Sequence, residues 1–395
     1  MSAYSFLKPF TFKNGLVLKN HVVMSPMTTM SSFYNGMLTG DEINYYKARA
    51  AGPGMVITGV ANVDKLGKGF EGELSVVSDD MLPGLTRLAS AIHQQGTKAV
   101  LQIFNAGRKT NHKILRGNQP VSASAVAATY PADSETPREM TSEEIDQLIL
   151  DFGSATRRAI QAGFDGVELH GANTYLLQQF YSPNSNQRTD KWGGSRDNRL
   201  RLPLAVIHNV QSVIKQYAPK QFLLGYRLSP EEIETPGIRL EDSLYFVDQI
   251  KEQVDYIHLS MASYQRTSLN DKTNKQTLLS QFAAHTKGIV PLIGIGSIEQ
   301  PADAEAALAD GADLVAIGRE LLREPQWVQK VASGDEASIR TQISPMDMDE
   351  LAIPYGLQTF LTTDFTSVMH FTTDADATQD YQNSLAPMEG MEEKL

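Results

Sequence analysis

The sequence predicts an α/β protein folded as a (β/α)8 TIM barrel, and three observations carry that expectation. Eight short apolar or β-branched runs each lead into a longer segment with helical spacing, the pattern of parallel strands joined by crossover helices. Runs such as Leu292-Ile293-Gly294-Ile295 do not alternate with polar residues, as strands covered on both faces require. The 395 residues, 41% of them hydrophobic, are enough for one large core. An open doubly wound sheet would give the same local pattern; eight successive units favour the closed barrel.

The strand runs, in order, are His21–Ser25, Met55–Val60, Ala99–Phe104, Gly166–His170, Phe222–Arg227, Tyr256–Ser260, Val290–Gly294 and Leu314–Ile317. Their helices are Asp41–Ala51, Leu85–Gln95, Ser142–Ala162, Arg196–Gln216, Leu240–Glu252, Leu278–Lys287, Pro301–Ala309 and a last one near Pro325–Val331. Several boundaries have local causes. Thr141 precedes Glu144 by three residues, the spacing of a capping box, and Ser195 is placed to accept an orphan N–H of the helix starting at Arg196. Gly163 closes the long third helix. The stretch Gly107–Pro137 reads as a long loop leaving the third strand at its C-terminal end, the end where barrel active sites sit. The expected organisation is one barrel domain over residues 1–335 and a C-terminal extension over 336–395, packed partly on the barrel and loose in its acidic end after Thr372.

Composition excludes several kinds of chemistry. With no cysteine there is no disulfide, cysteine-held zinc, iron–sulfur cluster or thiol nucleophile. Set against 46 Asp and Glu, the 35 Lys and Arg give a net charge of −11, which repels nucleic-acid phosphates and anionic lipid; an anionic ligand needs a local basic cluster. The N-terminus lacks the apolar stretch of a signal peptide, and no run approaches the roughly 20 apolar residues of a membrane helix, so a cytoplasmic protein is expected. Monomer and homo-oligomer stay open. The remaining histidines show no metal-ligand spacing, and no P-loop or nucleophile elbow occurs.

Polar residues at strand C-termini are the first candidates for function in such a barrel. They are Ser25-Pro26-Met27-Thr28, Gln102, His170 and Asn173, Arg227, Gly296-Ser297 and Gly318-Arg319. Taken singly, each reads as a satisfied structural group. Together they converge on one mouth. Phosphate binding by the loops after strands seven and eight is a general habit of barrels, and Gly296-Ser297 and Gly318-Arg319 occupy those loops, with Arg319 supplying local charge.

The block from His170-Gly171-Ala172-Asn173-Thr174-Tyr175 through Gln178-Gln179-Phe180-Tyr181-Ser182-Pro183 to Arg188-Thr189-Asp190 and Trp192-Gly193-Gly194-Ser195 resembles the old yellow enzyme family, FMN-dependent ene-reductases on a (β/α)8 barrel. The family's other landmarks follow in order from about Phe6 to about Pro325. The resemblance implies that His170 and Asn173 hydrogen-bond the carbonyl or nitro oxygen of an activated alkene and stabilise the charge developing there. It makes Tyr175 the proton donor to Cα, a role its pKa near 10 permits. It lays Pro26, Met27 and Thr28 along the isoalloxazine, brings the backbone at Val60 near, pairs Gln102 with the pyrimidine edge and puts Arg227 beside N1 and O2, where a cation favours the reduced flavin. By the same resemblance NADH or NADPH delivers hydride to FMN N5 in a ping-pong scheme, and hydride then passes to Cβ of an α,β-unsaturated carbonyl or nitro compound. Arg188, Asp190 and Ser195 read as structural and Trp192 as packing.

Three departures stand out. Many bacterial members carry Cys at the position of Thr28 and Tyr near Met30, and neither is present; Asn105 stands where the family often has His. Larger relatives append a cysteine-rich cluster and a second flavin domain, whereas this cysteine-free chain is expected to take electrons directly from the nicotinamide. Alternative readings are an FMN barrel dehydrogenase acting on an amine or another acceptor, a flavin-free phosphate-binding isomerase or aldolase, and a non-catalytic flavin binder.

Overall fold

A computed structural model describes residues 4–363 and 369–372. The expected loose end after Thr372 lies outside the described residues. Eight parallel strands close into a barrel: β1 (Val22–Met24), β2 (Met55–Ile57), β3 (Lys98–Phe104), β4 (Gly166–Gly171), β5 (Leu223–Leu228), β6 (Tyr256–Leu259), β7 (Leu292–Ile295) and β8 (Leu314–Ile317). Each pairs with the next; β8 pairs with β1 to close the ring. Every residue of β4 through β8 is buried, because the side chains point either into the barrel or under the helices.

The register stacks the inward residues in layers. Gln102 lies opposite Glu168, while His170 faces Arg227 and Arg227 faces His258. An antiparallel hairpin, Phe10–Thr11 with Val17–Leu18, lies near the lower end, where the Phe12 and Tyr256 rings meet at 6.2 Å. Thr141 and Glu144 form the expected capping box, the Ser195 hydroxyl accepts from Asn198 N–H, and Gly163 adopts φ +89° just past its helix.

The structure differs from expectation at several ends. β7 starts at Leu292 rather than Val290 because Pro291 has no N–H to give a ladder; it contributes only its carbonyl, to Ile257 N–H. β2 stops at Ile57, and Gly59 N–H turns aside to the Tyr46 hydroxyl at 2.7 Å. Two-residue strands Ala61–Asn62 and Leu74–Ser75 extend the sheet beside β3, and Val121–Ser122 of the long loop pairs in parallel with Arg138–Glu139 just past its end. Helices Leu176–Tyr181, Arg319–Arg323 and Tyr355–Thr363 also form. Past residue 336, Ile343, Met348, Leu351, Ile353, Leu357 and Leu361 join the same hydrophobic cluster as the barrel. Arg49, fully buried, ties the first helix to that segment by donating to Leu351 O at 2.8 Å.

Candidate active site

Parallel strands deliver all their C-terminal ends to one mouth, and a cavity of about 530 Å³ opens there. Ser25, Pro26, Met27, Thr28, Asn173, Tyr175, Arg227, Gly296, Ser297, Gly318 and Arg319 line it. Val60, Gln102 and His170 are buried and do not line the cavity itself. His170 contacts Tyr175, with ring centroids 4.9 Å apart and edge to face, and Val60 clusters with Phe104 and Ala106 under the same tyrosine.

The turn after β4 is held under strain. Asn173 and Thr174 take φ +54° and +60°, a left-handed conformation that a β-branched threonine rarely adopts. Its partners over-determine it. Ser229 hydroxyl accepts from Asn173 N–H at 2.9 Å, Gln178 Oε1 accepts from Thr174 N–H at 2.9 Å, and Gln179 donates to Thr174 O at 2.6 Å. The result places an amide and a phenol on the cavity wall two residues apart.

Protonation follows from these partners. Ala172 N–H donates to His170 Nδ1 at 3.2 Å, so the ring proton sits on Nε2 and that nitrogen is a donor. Burial, reinforced by Arg227 and His258, holds the imidazole well below its ordinary value, so it is neutral at pH 7. Arg227 donates to the Ser260 hydroxyl at 3.1 Å and Ser260 donates to Asn173 Oδ1 at 2.8 Å. With its oxygen occupied, the Asn173 amide offers N–H groups to a ligand. Burial, and Glu73 behind it, hold the Tyr175 phenol above its ordinary value, so it carries its proton throughout the neutral range.

Beneath lies a buried carboxylate. Glu168 accepts from Gln102 Nε2 at 2.6 Å and pairs with His258 Nδ1 at 2.9 Å. Burial alone would raise its pKa, but His258, Arg227 and Gln102 together hold it below the ordinary value. Because Glu168 takes the Gln102 N–H, the amide's Oε1 is left as an acceptor, and the buried Arg227 Nε has no partner among the described residues. Glu168, Ser260, Gln178 and Gln179 are functional supports that the sequence reading missed; the signal was there for Glu168, two residues before His170 and so on the same inward face.

On the other side of the mouth, Arg319 donates to the Ser297 hydroxyl at 2.7 Å. Gly296 holds φ +112°, and a Cβ there would meet Ser263 N at 2.5 Å, so only glycine lets the loops close this tightly. Leu357, Phe360, Leu361 and Met369 of the C-terminal segment add an apolar wall. These features fit FMN: an apolar slot for the ring, an unpaired guanidinium Nε–H and an amide oxygen for its polar edge, and a glycine-lined corner with Arg319 for its phosphate. Among the described residues no cluster able to hold a metal ion occurs, and no helix is long and apolar enough to cross a membrane.

The barrel and this site match the old yellow enzyme type, and comparison with known proteins makes the family assignment specific. The chain belongs to the NADH:flavin oxidoreductase / NADH oxidase family, whose model matches residues 5–338; the family's cofactor is FMN and its co-substrate NADH or NADPH. It is 43% identical over 358 residues to a protein from Klebsiella pneumoniae named NADH:fumarate oxidoreductase, covering 90% of this chain but only 38% of that protein, so the chain spans little more than a third of that relative. A Bacillus subtilis protein named probable NADH-dependent flavin oxidoreductase YqiG is 41% identical over 351 residues, covering 89% of this chain and 94% of the other. Morphinone reductase, solved in complex with tetrahydroNAD, superimposes with a TM-score of 0.71 at 26% identity, covering 84% of this chain and 91% of its own.

Proposed function

We propose that the protein is an ene-reductase that uses NADH or NADPH to reduce the C=C bond of an α,β-unsaturated carbonyl or nitro compound, working as a cytoplasmic enzyme on small molecules. The observation that carries this reading is the joint placement of His170, whose tautomer Ala172 N–H sets, Asn173, whose amide Ser260 turns, and Tyr175, whose proton burial holds. Pro26, Met27 and Thr28 would line the isoalloxazine, with Val60 behind; Gln102 and Arg227 would hold the pyrimidine edge; Gly296, Ser297, Gly318 and Arg319 would hold the phosphate. FMN, when bound, supplies the two-electron hydride chemistry that no side chain of the protein can.

The rest is done by the chain. His170 Nε2–H, from behind the wall, and the Asn173 amide would donate to the substrate oxygen, drawing electron density from the alkene and stabilising the negative charge that builds there. Both are neutral donors, so they favour this charge without first trapping an anionic substrate. The Tyr175 O–H makes no hydrogen bond among the described residues, which leaves it to deliver its proton to Cα; the aromatic walls from Phe104 at 5.0 Å and Phe70 at 6.3 Å keep bulk water from that side. Tyr175→Phe is expected to retain bleaching by NAD(P)H and to slow alkene reduction by roughly 10²–10⁴-fold. Stopped-flow measurement of each half-reaction decides it; equal losses in both would remove the phenol from the proton-donor role.

A further inference from the structure

The rim of the cavity carries a positive charge that the reading above does not use. Arg108 and Lys109 leave β3 side by side and line the mouth together with Thr129 and Tyr130 of the long loop. Arg108 is buried, yet its partners are neutral: Val126 O at 3.2 Å, Ala127 O at 3.0 Å and Asn184 Oδ1 at 3.2 Å, while its Nε has none. Lys109 Nζ donates only to Tyr130 O, at 2.7 Å. Neither cation is given a carboxylate partner within ion-pair distance among the described residues.

The acidic groups across the mouth hydrogen-bond to other residues, so Glu232 and Glu234 reach Arg108, and Glu234 reaches Lys109, only by attraction across the cavity. Glu234 accepts from the Thr129 hydroxyl at 3.3 Å. Glu232 takes Gln178 Nε2 at 2.7 Å, the Ser182 hydroxyl and Ile238 N–H, and Glu231 takes the Ser268 hydroxyl and Leu269 N–H. Attraction across a cavity replaces a direct ion pair only in part, so two adjacent cations with no carboxylate in contact leave room for an anionic ligand. Burial, and then its neighbour Arg108, push the Lys109 pKa down to about 8 against the weaker opposing attraction of Glu234.

We propose that Arg108 and Lys109 form an oxyanion subsite that anchors a carboxylate or phosphate group of the molecule entering the mouth. The inference rests on the ene-reductase reading only for the identity of that molecule: the pyrophosphate of the nicotinamide dinucleotide, or a carboxylate borne by the alkene. The planar guanidinium and the ammonium suit either oxyanion, and an arriving anion replaces no existing ion pair.

Calorimetric titration of the purified protein tests the subsite without turnover, with inorganic pyrophosphate, 4-oxo-2-pentenoate and the neutral methyl ester of that keto acid as probes. Wild-type protein is expected to bind at least one anion; Lys109→Gln weakens that anion about tenfold relative to the ester, and Lys109→Arg restores it. Loss confined to pyrophosphate identifies the dinucleotide as the occupant, and loss confined to the keto acid identifies the substrate. The subsite is overturned if neither anion binds, if Lys109→Gln leaves both unchanged, or if the ester weakens equally. A protein that passes this test yet never reduces an alkene sinks the ene-reductase reading alone.

Discussion

Single hydrogen bonds decide what each polar group at the mouth can do. The Ala172 N–H makes His170 a donor through Nε2, Ser260 turns the Asn173 amide, and Glu168 turns the Gln102 amide. His170, Asn173, Tyr175 and Arg227 were legible in the sequence because a strand end followed by a characteristic block names them. Glu168 was passed over, because a lone acid inside Val167-Glu168-Leu169 reads as one more strand position until its two-residue offset from His170 is taken to fix its face. Its removal is predicted to matter. Glu168→Gln leaves Arg227 without its counter-charge and His258 Nδ1 without its carboxylate partner in a buried layer, and is expected to cost about 3–5 kcal/mol in urea unfolding. Unchanged unfolding would mean that the carboxylate is not the charge that balances Arg227.

At the scale of elements, those long enough to show a period or a cap were readable: the helix Ser142–Gln161 begins at its capping box as expected. The pair Ala61–Asn62 and Leu74–Ser75 was not, since two residues carry no period, and Leu176–Tyr181 is buried on every side and so has no polar face to mark it. The short helix Arg319–Arg323 beside the candidate phosphate corner carries a prediction of its own. Its Glu320 lies in a fully buried cluster with Arg323 at 2.8 Å, and Arg323 also meets Glu299 at 2.7 Å. Burial, and Glu299 in addition, outweigh Arg323 and raise the Glu320 carboxyl from 4.5 to about 8. A folded-state pKa above the unfolded one contributes stability that is full below about 4.5 and is lost as pH rises through about 8. The melting temperature of wild-type protein should therefore decline between pH 6 and pH 9, and Glu320→Gln should flatten that decline. Parallel profiles for the two proteins would contradict the buried-acid assignment.

Across the whole molecule, the barrel supports the site by filling its interior in layers rather than leaving a pore. Gly225 on β5 has no side chain because the Tyr256 ring from β6 occupies its place below Arg227 and His258. An added methyl would overlap that ring, so Gly225→Ala is expected to cost roughly 1–3 kcal/mol and to disturb the layer above; denaturant midpoints of the two proteins measure it, and an unchanged midpoint would show that the layer yields freely. The closed architecture was legible from the repeated units alone, whereas the apolar wall that Leu357, Phe360 and Leu361 add to the cavity was not, because long-range packing has no local sequence period. All of this converges on a redox carrier seated at the mouth and served by the chain's own donors. Anaerobic absorbance spectroscopy of the FMN-loaded protein tests it most directly: the yellow colour should bleach on adding NADH or NADPH and return on adding an enone in stoichiometric amount. A protein that binds no FMN, or whose bleached form an enone leaves unchanged, contradicts the account.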